Sequence, residues 1–182
     1  MQVLAKKHQN NNGFTLIEIV ISMVLVGILV SIAGMGIITG AKGFFLTREN
    51  AHLAQKSNIA MTRINRELQE LSDIITRQTT APDPYIIFEH PGQRKAIAKT
   101  GSVLRLFSEL AEDQILLPAA ADSDVLIDNV KSFQLVYNDG QNPWAGNDIG
   151  NLTSIEVSLT LIHPDSDISD LTFNLAVFPR NK

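Results

Sequence analysis

The chain has 182 residues, with 15 basic and 19 acidic side chains, a formal net charge of −4, 45% hydrophobic residues and no cysteine. That length holds one ordinary domain plus an appendage. The absence of cysteine excludes a disulfide framework, a thiolate metal site and a cysteine nucleophile, and the acidic balance argues against nucleic acid or anionic lipid as a partner of the folded part.

At the N-terminus, residues 1–12 carry Lys6 and Lys7 as their only charges. Then comes Gly13-Phe14-Thr15-Leu16-Ile17-Glu18, and from Ile19 to Ala41 no residue is charged. A helix of ~20 apolar residues spans the hydrocarbon of a bilayer. Positive charge ahead of such a run keeps that end cytoplasmic, which places the chain after Lys42 outside the cytoplasm. A carboxylate at the edge of a membrane helix is unfavourable unless it has a partner, so Glu18 reads as functional. The competing reading is an ordinary secretory signal, with Ser31-Ile32-Ala33 or Ala33-Gly34-Met35 near its cleavage site. Such a signal has an apolar core of only ~7–15 residues, shorter than the run here.

The hexapeptide Gly13 to Glu18 resembles the processing site of type IV pilins and of the pseudopilins of type II secretion. The resemblance implies that a membrane-embedded prepilin peptidase removes a short basic leader, residues 1–13, by cutting between Gly13 and Phe14. The same peptidase then N-methylates Phe14. It also implies that Glu18 meets the free N-terminal amine of a neighbouring subunit during filament growth. Both charges would lie in apolar surroundings, where an unpaired one is strongly unfavourable, so the pair checks the axial offset between subunits. Loss of the leader takes Lys6 and Lys7 with it, leaving 13 basic against 19 acidic side chains, or −6.

Beyond the apolar run the helical pattern continues. No proline or glycine occurs from Thr47 to Ile75, and apolar residues fall at Leu53, Ala60, Ile64, Leu68, Leu71 and Ile75. From Ala60 onward these share one helical face. Arg63, Arg66, Glu67 and Glu70 lie off that stripe and read as a solvated face with i,i+4 pairs Arg63–Glu67 and Arg66–Glu70, worth a few tenths of a kcal/mol each. One helix from Phe14 to about Ile75 would be roughly 90 Å long. Where many family members carry a proline, this chain has Met35 between Gly34 and Gly36. Those glycines allow local melting or close helix packing, or are simply tolerated.

Pro82 and Pro84 mark the end of the helical region. Strands are expected at Tyr85–Phe88, Val103–Phe107, Ile115–Leu117, Val125–Ile127, Val130–Tyr137, Ile155–Leu161 and Leu171–Phe178, with turns at Asn138-Asp139-Gly140 and His163-Pro164-Asp165. The alternation of Ile155, Val157, Leu159 and Leu161 is that of a half-buried antiparallel strand. The expected fold is therefore α+β and pilin-like: a leader over 1–13, the transmembrane and assembly half of a helix over 14–41, its amphipathic half over 42–76, and a β-rich domain over 77–182 packed on that second half.

A second resemblance concerns the subunit type. Val130 to Asp139, ending on Tyr137, then Trp144 and the strand Leu152 to Leu161, look like the J-type minor pseudopilins and the W-type minor pilins, as does the helix segment Gln55 to Ser72. The K-type tip subunit typically lacks the glutamate that stands here at Glu18. This implies a minor, tip-associated subunit of a periplasmic pseudopilus, anchored in the inner membrane with its C-terminal domain in the periplasm. The partners implied are the prepilin peptidase and other pilin-type subunits, with no nucleic acid. The alternative is a minor pilin of a surface filament used for adhesion, motility or DNA uptake. A blander alternative is a membrane-anchored domain that never assembles. Trp144 reads either as core packing or as a partner surface, and Met61 and Phe133 read as core.

No catalytic constellation is present. His8, His52, His90 and His163 are scattered without metal spacing, and no glycine-rich phosphate loop follows a strand. No enzyme activity and no cofactor are expected. Asp122, Asp124 and Asp128, and separately Asp165, Asp167 and Asp170, gather acidic oxygens in loops. Some pseudopilins bind calcium in the exported domain, so calcium is the alternative there. Neither cluster has a known ligand spacing, and solvated acidic loops are the preferred reading.

Overall fold

The computed structural model describes residues 13–79, 82–111, 123–140, 142–144, 146 and 149–180. The leader up to Asn12 with Lys6, Lys7 and His8, the strand expected at Ile115–Leu117, and Asp122 lie outside the described residues. The chain divides into two compact units between Asn50 and Ala51.

In the first unit the chain is helical from Leu16 onward, the start of α1 (Leu16–Gln69, 54 residues). Among its described residues no side chain is buried, and the apolar residues from Phe14 to Phe45 stand open. The helix runs through Gly34, Met35 and Gly36 without interruption.

In the second unit α1 supplies residues 51–69. Leu53, Ser57, Ala60, Met61, Ile64, Glu67 and Leu68 are buried, at spacings of three and four that bring them to one face. That face packs on two antiparallel sheets. The first sheet holds β1 (Asp73–Gln78), β2 (Tyr85–His90), β3 (Gln93–Thr100), β4 (Val103–Leu110) and β5 (Ser123–Ile127), side by side in chain order. The second holds β6 (Val130–Asn138), β7 (Ser154–Leu161) and β8 (Leu171–Val177), also in chain order. One core cluster joins Ile64 and Leu68 of α1 to Ile86, Phe88, Leu106, Phe133, Leu135, Val157 and Leu159 of the sheets. Alternate residues of the first sheet, Ile87, Ala96, Ala98, Phe107 and Leu110, form a smaller cluster on its other face. Fully buried leucines and isoleucines contribute ~1.5–3 kcal/mol each, so Leu68, fully buried at the helix end, is a main link between helix and sheet. The α+β architecture, the strands from Tyr85, Val103, Val125, Val130, Ile155 and Leu171, and the core positions of Met61 and Phe133 agree with the sequence reading.

Three features differ from it. The helix ends at Gln69 rather than near Ile75. Leu71 is buried as expected, but Ile74, Ile75 and Thr76 are β-branched and join β1, which pairs with β2. The Gln69 carbonyl accepts the Arg180 N–H at 2.8 Å, and the Ser72 N–H donates to the Glu89 carbonyl at 2.8 Å, so the chain leaves the helix into strand bonds. Secondly, β3 was not expected. It is reached by the two-residue Pro91-Gly92 loop, where Gly92 takes a φ of 78°, a conformation L side chains resist. Thirdly, Glu67 is not on a solvated face. It is 6% exposed, and its carboxylate takes a hydrogen bond from Lys95 Nζ at 2.7 Å. The expected i,i+4 partners go elsewhere: Arg63 to Asp124 at 2.7 Å, and Glu70 to His90 at 2.8 Å.

Candidate functional site

The residues singled out by sequence lie at the start of α1. A Cβ added at Gly13 would meet nothing within 4 Å, and Phe14 is 79% exposed. Thr15 is the last residue before the helix, and its Oγ1 accepts the Glu18 N–H at 3.3 Å. That is an N-cap, and Thr15-Leu16-Ile17-Glu18 has the spacing of a capping box. Sequence reasoning missed this role of Thr15, although the Thr-x-x-Glu pattern ahead of an apolar run signals it. Glu18 therefore has two local roles: its amide is tied by the cap, and its carboxylate sits in the first turn, where the helix dipole favours negative charge by about 0.3–1 kcal/mol.

The remaining polar side chains of the apolar run are satisfied within the helix. Ser22 Oγ donates to the Glu18 carbonyl at 2.6 Å, Ser31 Oγ to Gly27 at 3.0 Å, and Thr39 Oγ1 to Met35 at 2.9 Å. Such bonds let a hydroxyl sit in hydrocarbon without an orphaned donor. The Glu18 carboxylate is the exception: among the described residues it has no hydrogen bond and no ion pair. Phe14 precedes it by four residues and lies just before the helix begins.

The other predicted residues belong to the second unit. Trp144 is 8% exposed and belongs to the core, tilted against Tyr137 with ring centroids 6.1 Å apart. The Arg77 guanidinium lies over both rings, 4.8 Å from Tyr137 and 4.5 Å from Trp144, close enough for cation–π attraction. Burial pushes the Tyr137 hydroxyl well above its ordinary pKa, partly opposed by Arg77. Of the acidic clusters, Asp124 pairs with Arg63, Asp128 with Lys56, and Asp170 with Lys131 at 2.6 Å. The Lys131 hydrogen bond and then the His163 N–H hold the Asp170 carboxyl below the usual range. Among the described residues no group of three His, Asp or Glu side chains is arranged to hold a metal ion.

α1 is long and apolar enough to cross a membrane, by length and composition. No curated protein matches the chain. A family model does: residues 8–34 match the prokaryotic N-terminal methylation motif. That motif implies processing by a prepilin peptidase and assembly with pilin-type subunits, and with the apolar helix it points to a single-pass membrane anchor. The N-terminal segment thus carries the class III signal of type IV pilin- and pseudopilin-like proteins, on a chain whose helix-plus-sheet architecture is pilin-like.

Proposed function

We propose that the protein is a minor pseudopilin, a tip-associated structural subunit of a type II secretion pseudopilus, with no catalytic role and no resident cofactor. In this reading the peptidase cuts between Gly13 and Phe14, and the new amine of Phe14 is methylated. The C-terminal domain stands in the periplasm. Glu18 is the assembly contact, accepting the N-terminal ammonium of a neighbouring subunit. The observation that carries the reading is the solitary state of the Glu18 carboxylate. Every hydroxyl of the apolar run is bonded to its own helix, while Glu18 is left open in a segment that lipid would surround. An unpaired charge in apolar surroundings is unfavourable, and a cation from a second chain removes that penalty.

The test is mass spectrometry of the mature protein from cells that make a prepilin peptidase. Loss of Met1–Gly13 together with one added methyl on Phe14 is expected. A chain still beginning at Met1 overturns the proposal.

The β6–Trp144–β7 layout also fits the minor pilins of surface filaments, and this is the second reading. Deletion of the gene separates the two. Loss of an exported enzyme from the medium supports the pseudopilus, whereas loss of surface filaments with export intact supports the pilus.

A further inference from the structure

β1 and β6 are edge strands of different sheets. A cavity of about 350 Å³ is lined by Arg77 of β1, by the four consecutive residues Gln134 to Tyr137 of β6, and by Trp144. Successive side chains of a strand point to opposite faces, so four in a row reach one cavity only along the strand's edge. The Tyr137 carbonyl turns to that edge, away from β7, and takes the Trp144 N–H at 2.9 Å. By the strand period Leu135 turns its own N–H and C=O the same way. Among the described residues no strand pairs with β6 on that side.

Arg77 is the cation of the cavity. Lys56, Arg63, Lys95 and Lys131 each have a carboxylate of this chain within hydrogen-bond distance. Among the described residues Arg77 has none. Its guanidinium lies instead against the Tyr137 and Trp144 rings, 4.8 and 4.5 Å from their centroids. Gly146 comes against the same group: a Cβ there would stand 2.8 Å from Nη2, and its φ of 94° also favours glycine. The guanidinium is therefore held in place before any anion arrives, and ordering it adds little to the cost of binding.

We infer that this cavity takes one carboxylate, presented by an acidic side chain on an extended segment of a partner protein. Charge and shape select the anion. A guanidinium matches a carboxylate in charge and in its planar, two-pronged geometry. A polyphosphate or a nucleic acid brings more negative charge than one guanidinium offsets, to a chain whose own net charge is −4. The edge of β6 selects the carrier. Main-chain N–H and C=O groups along a strand edge are what an extended peptide pairs with, whereas a free small carboxylate makes no use of them.

Trp144 is the chain's one tryptophan, so tryptophan emission from the full-length protein in detergent reports on this cavity. The probes are the tripeptide Thr-Glu-Thr with acetylated and amidated ends, its counterpart with glutamine in the middle, and sodium acetate. The glutamate peptide is expected to change the emission saturably and to bind about tenfold or more tightly than either control, the discrimination of a hydrogen bond to a charged group. Arg77→Gln, its fold checked by circular dichroism, should bind the two peptides alike. The peptides are also compared on the wild type, so that arm decides even where the variant does not fold. Equal affinity of the wild type for the two peptides overturns the carboxylate, and acetate bound as tightly as the glutamate peptide overturns the peptide carrier. Undiminished glutamate-peptide binding by folded Arg77→Gln overturns the site, and so does wild-type emission that no probe changes. None of these outcomes depends on cleavage at Gly13.

Discussion

Replacing Lys95 by methionine tests the linkage between α1 and the first sheet. Glu67 sits in the last turn of α1, 6% exposed, and Lys95 of β3 reaches it at 2.7 Å with the two side chains 12% and 8% accessible. Removing one partner of a buried ion pair typically destabilises by ~3–5 kcal/mol, because the other charge is left uncompensated. Arg66 and His90 remain near Glu67. Arg66 Nη2 is 4.0 Å away on a largely exposed side chain, and His90 Nε2 is 3.9 Å away but closer to Glu70, at 2.8 Å. Both are distant substitutes, so the loss for Lys95→Met falls at the low end, about 3 kcal/mol. For a unit of this size that corresponds to roughly 12 °C in Tm. Adding Glu67→Leu removes the stranded charge as well, and an apolar pair in place of a buried ion pair is neutral to within ~1 kcal/mol or stabilising. Thermal unfolding in detergent, followed by circular dichroism, measures both variants. A Lys95→Met Tm within ~2 °C of the wild type refutes the reasoning, and so does a double variant as unstable as the single one.

Other consequences concern single side chains. Glu18→Ala is expected to leave the leader cut intact on immunoblots while the protein fails to co-purify with other pilin-type subunits, and normal co-purification would count against the assembly role. Tyr137→Phe removes a buried hydroxyl that lacks a hydrogen-bond partner, so stability should hold or rise by up to ~1 kcal/mol. Because burial raises the Tyr137 pKa, the folded state holds its proton more tightly than the unfolded chain does. The stability this gives is complete below the unfolded pKa of 10.0 and is lost as pH rises through the folded value. A urea titration at high pH should show that loss, and Tyr137→Phe should show less of it. Asp170 has the opposite sign. Its depressed pKa supports stability above the unfolded 3.8, and this is lost as pH falls through the lower folded value. Asp170→Asn should therefore flatten the acid limb below pH 3.8, and an unchanged limb would deny Asp170 that part.

The sequence made some of this legible and hid the rest for identifiable reasons. Ala60, Ile64 and Leu68 keep a helical period, and Ile155 to Leu161 keep a strand period, so both buried faces could be read directly. The helix end could not, because Leu71 and Ile75 continue the helical spacing by coincidence while sitting outside α1. β3 was masked by its lysines. Lys95 and Lys99 stand in buried or nearly buried positions, which breaks the apolar alternation that marks a strand. Each is there for a partner elsewhere: Lys95 for Glu67, and Lys99 for the Pro82 carbonyl at 3.1 Å. Glu67 looked solvated for the same reason, since its partner lies 28 residues on. Glu18 was readable because one charge stands alone before a long uncharged run, a contrast that needs no tertiary information.

That contrast also bounds what can satisfy the N-terminal segment. Phe14, Leu16, Leu29, Ile37 and Phe44 are each more than half exposed, and a continuous apolar surface of this kind does not persist in water. Lipid accommodates these side chains, and the helix's own carbonyls accommodate Ser22, Ser31 and Thr39. Neither accommodates the Glu18 carboxylate. Its favourable dipole position contributes up to about 1 kcal/mol, against an insertion penalty of about 2.5–3.5 kcal/mol for an acidic residue at mid-bilayer, which shrinks toward the interface. The difference is a standing drive toward a cation at membrane depth. Charge, rather than side-chain volume, sets that drive. Glu18→Gln, which keeps shape and loses charge, should insert at least as well as the wild type and assemble as poorly as Glu18→Ala. Assembly restored by glutamine would mean that packing, and not the ion pair, positions the neighbouring subunit.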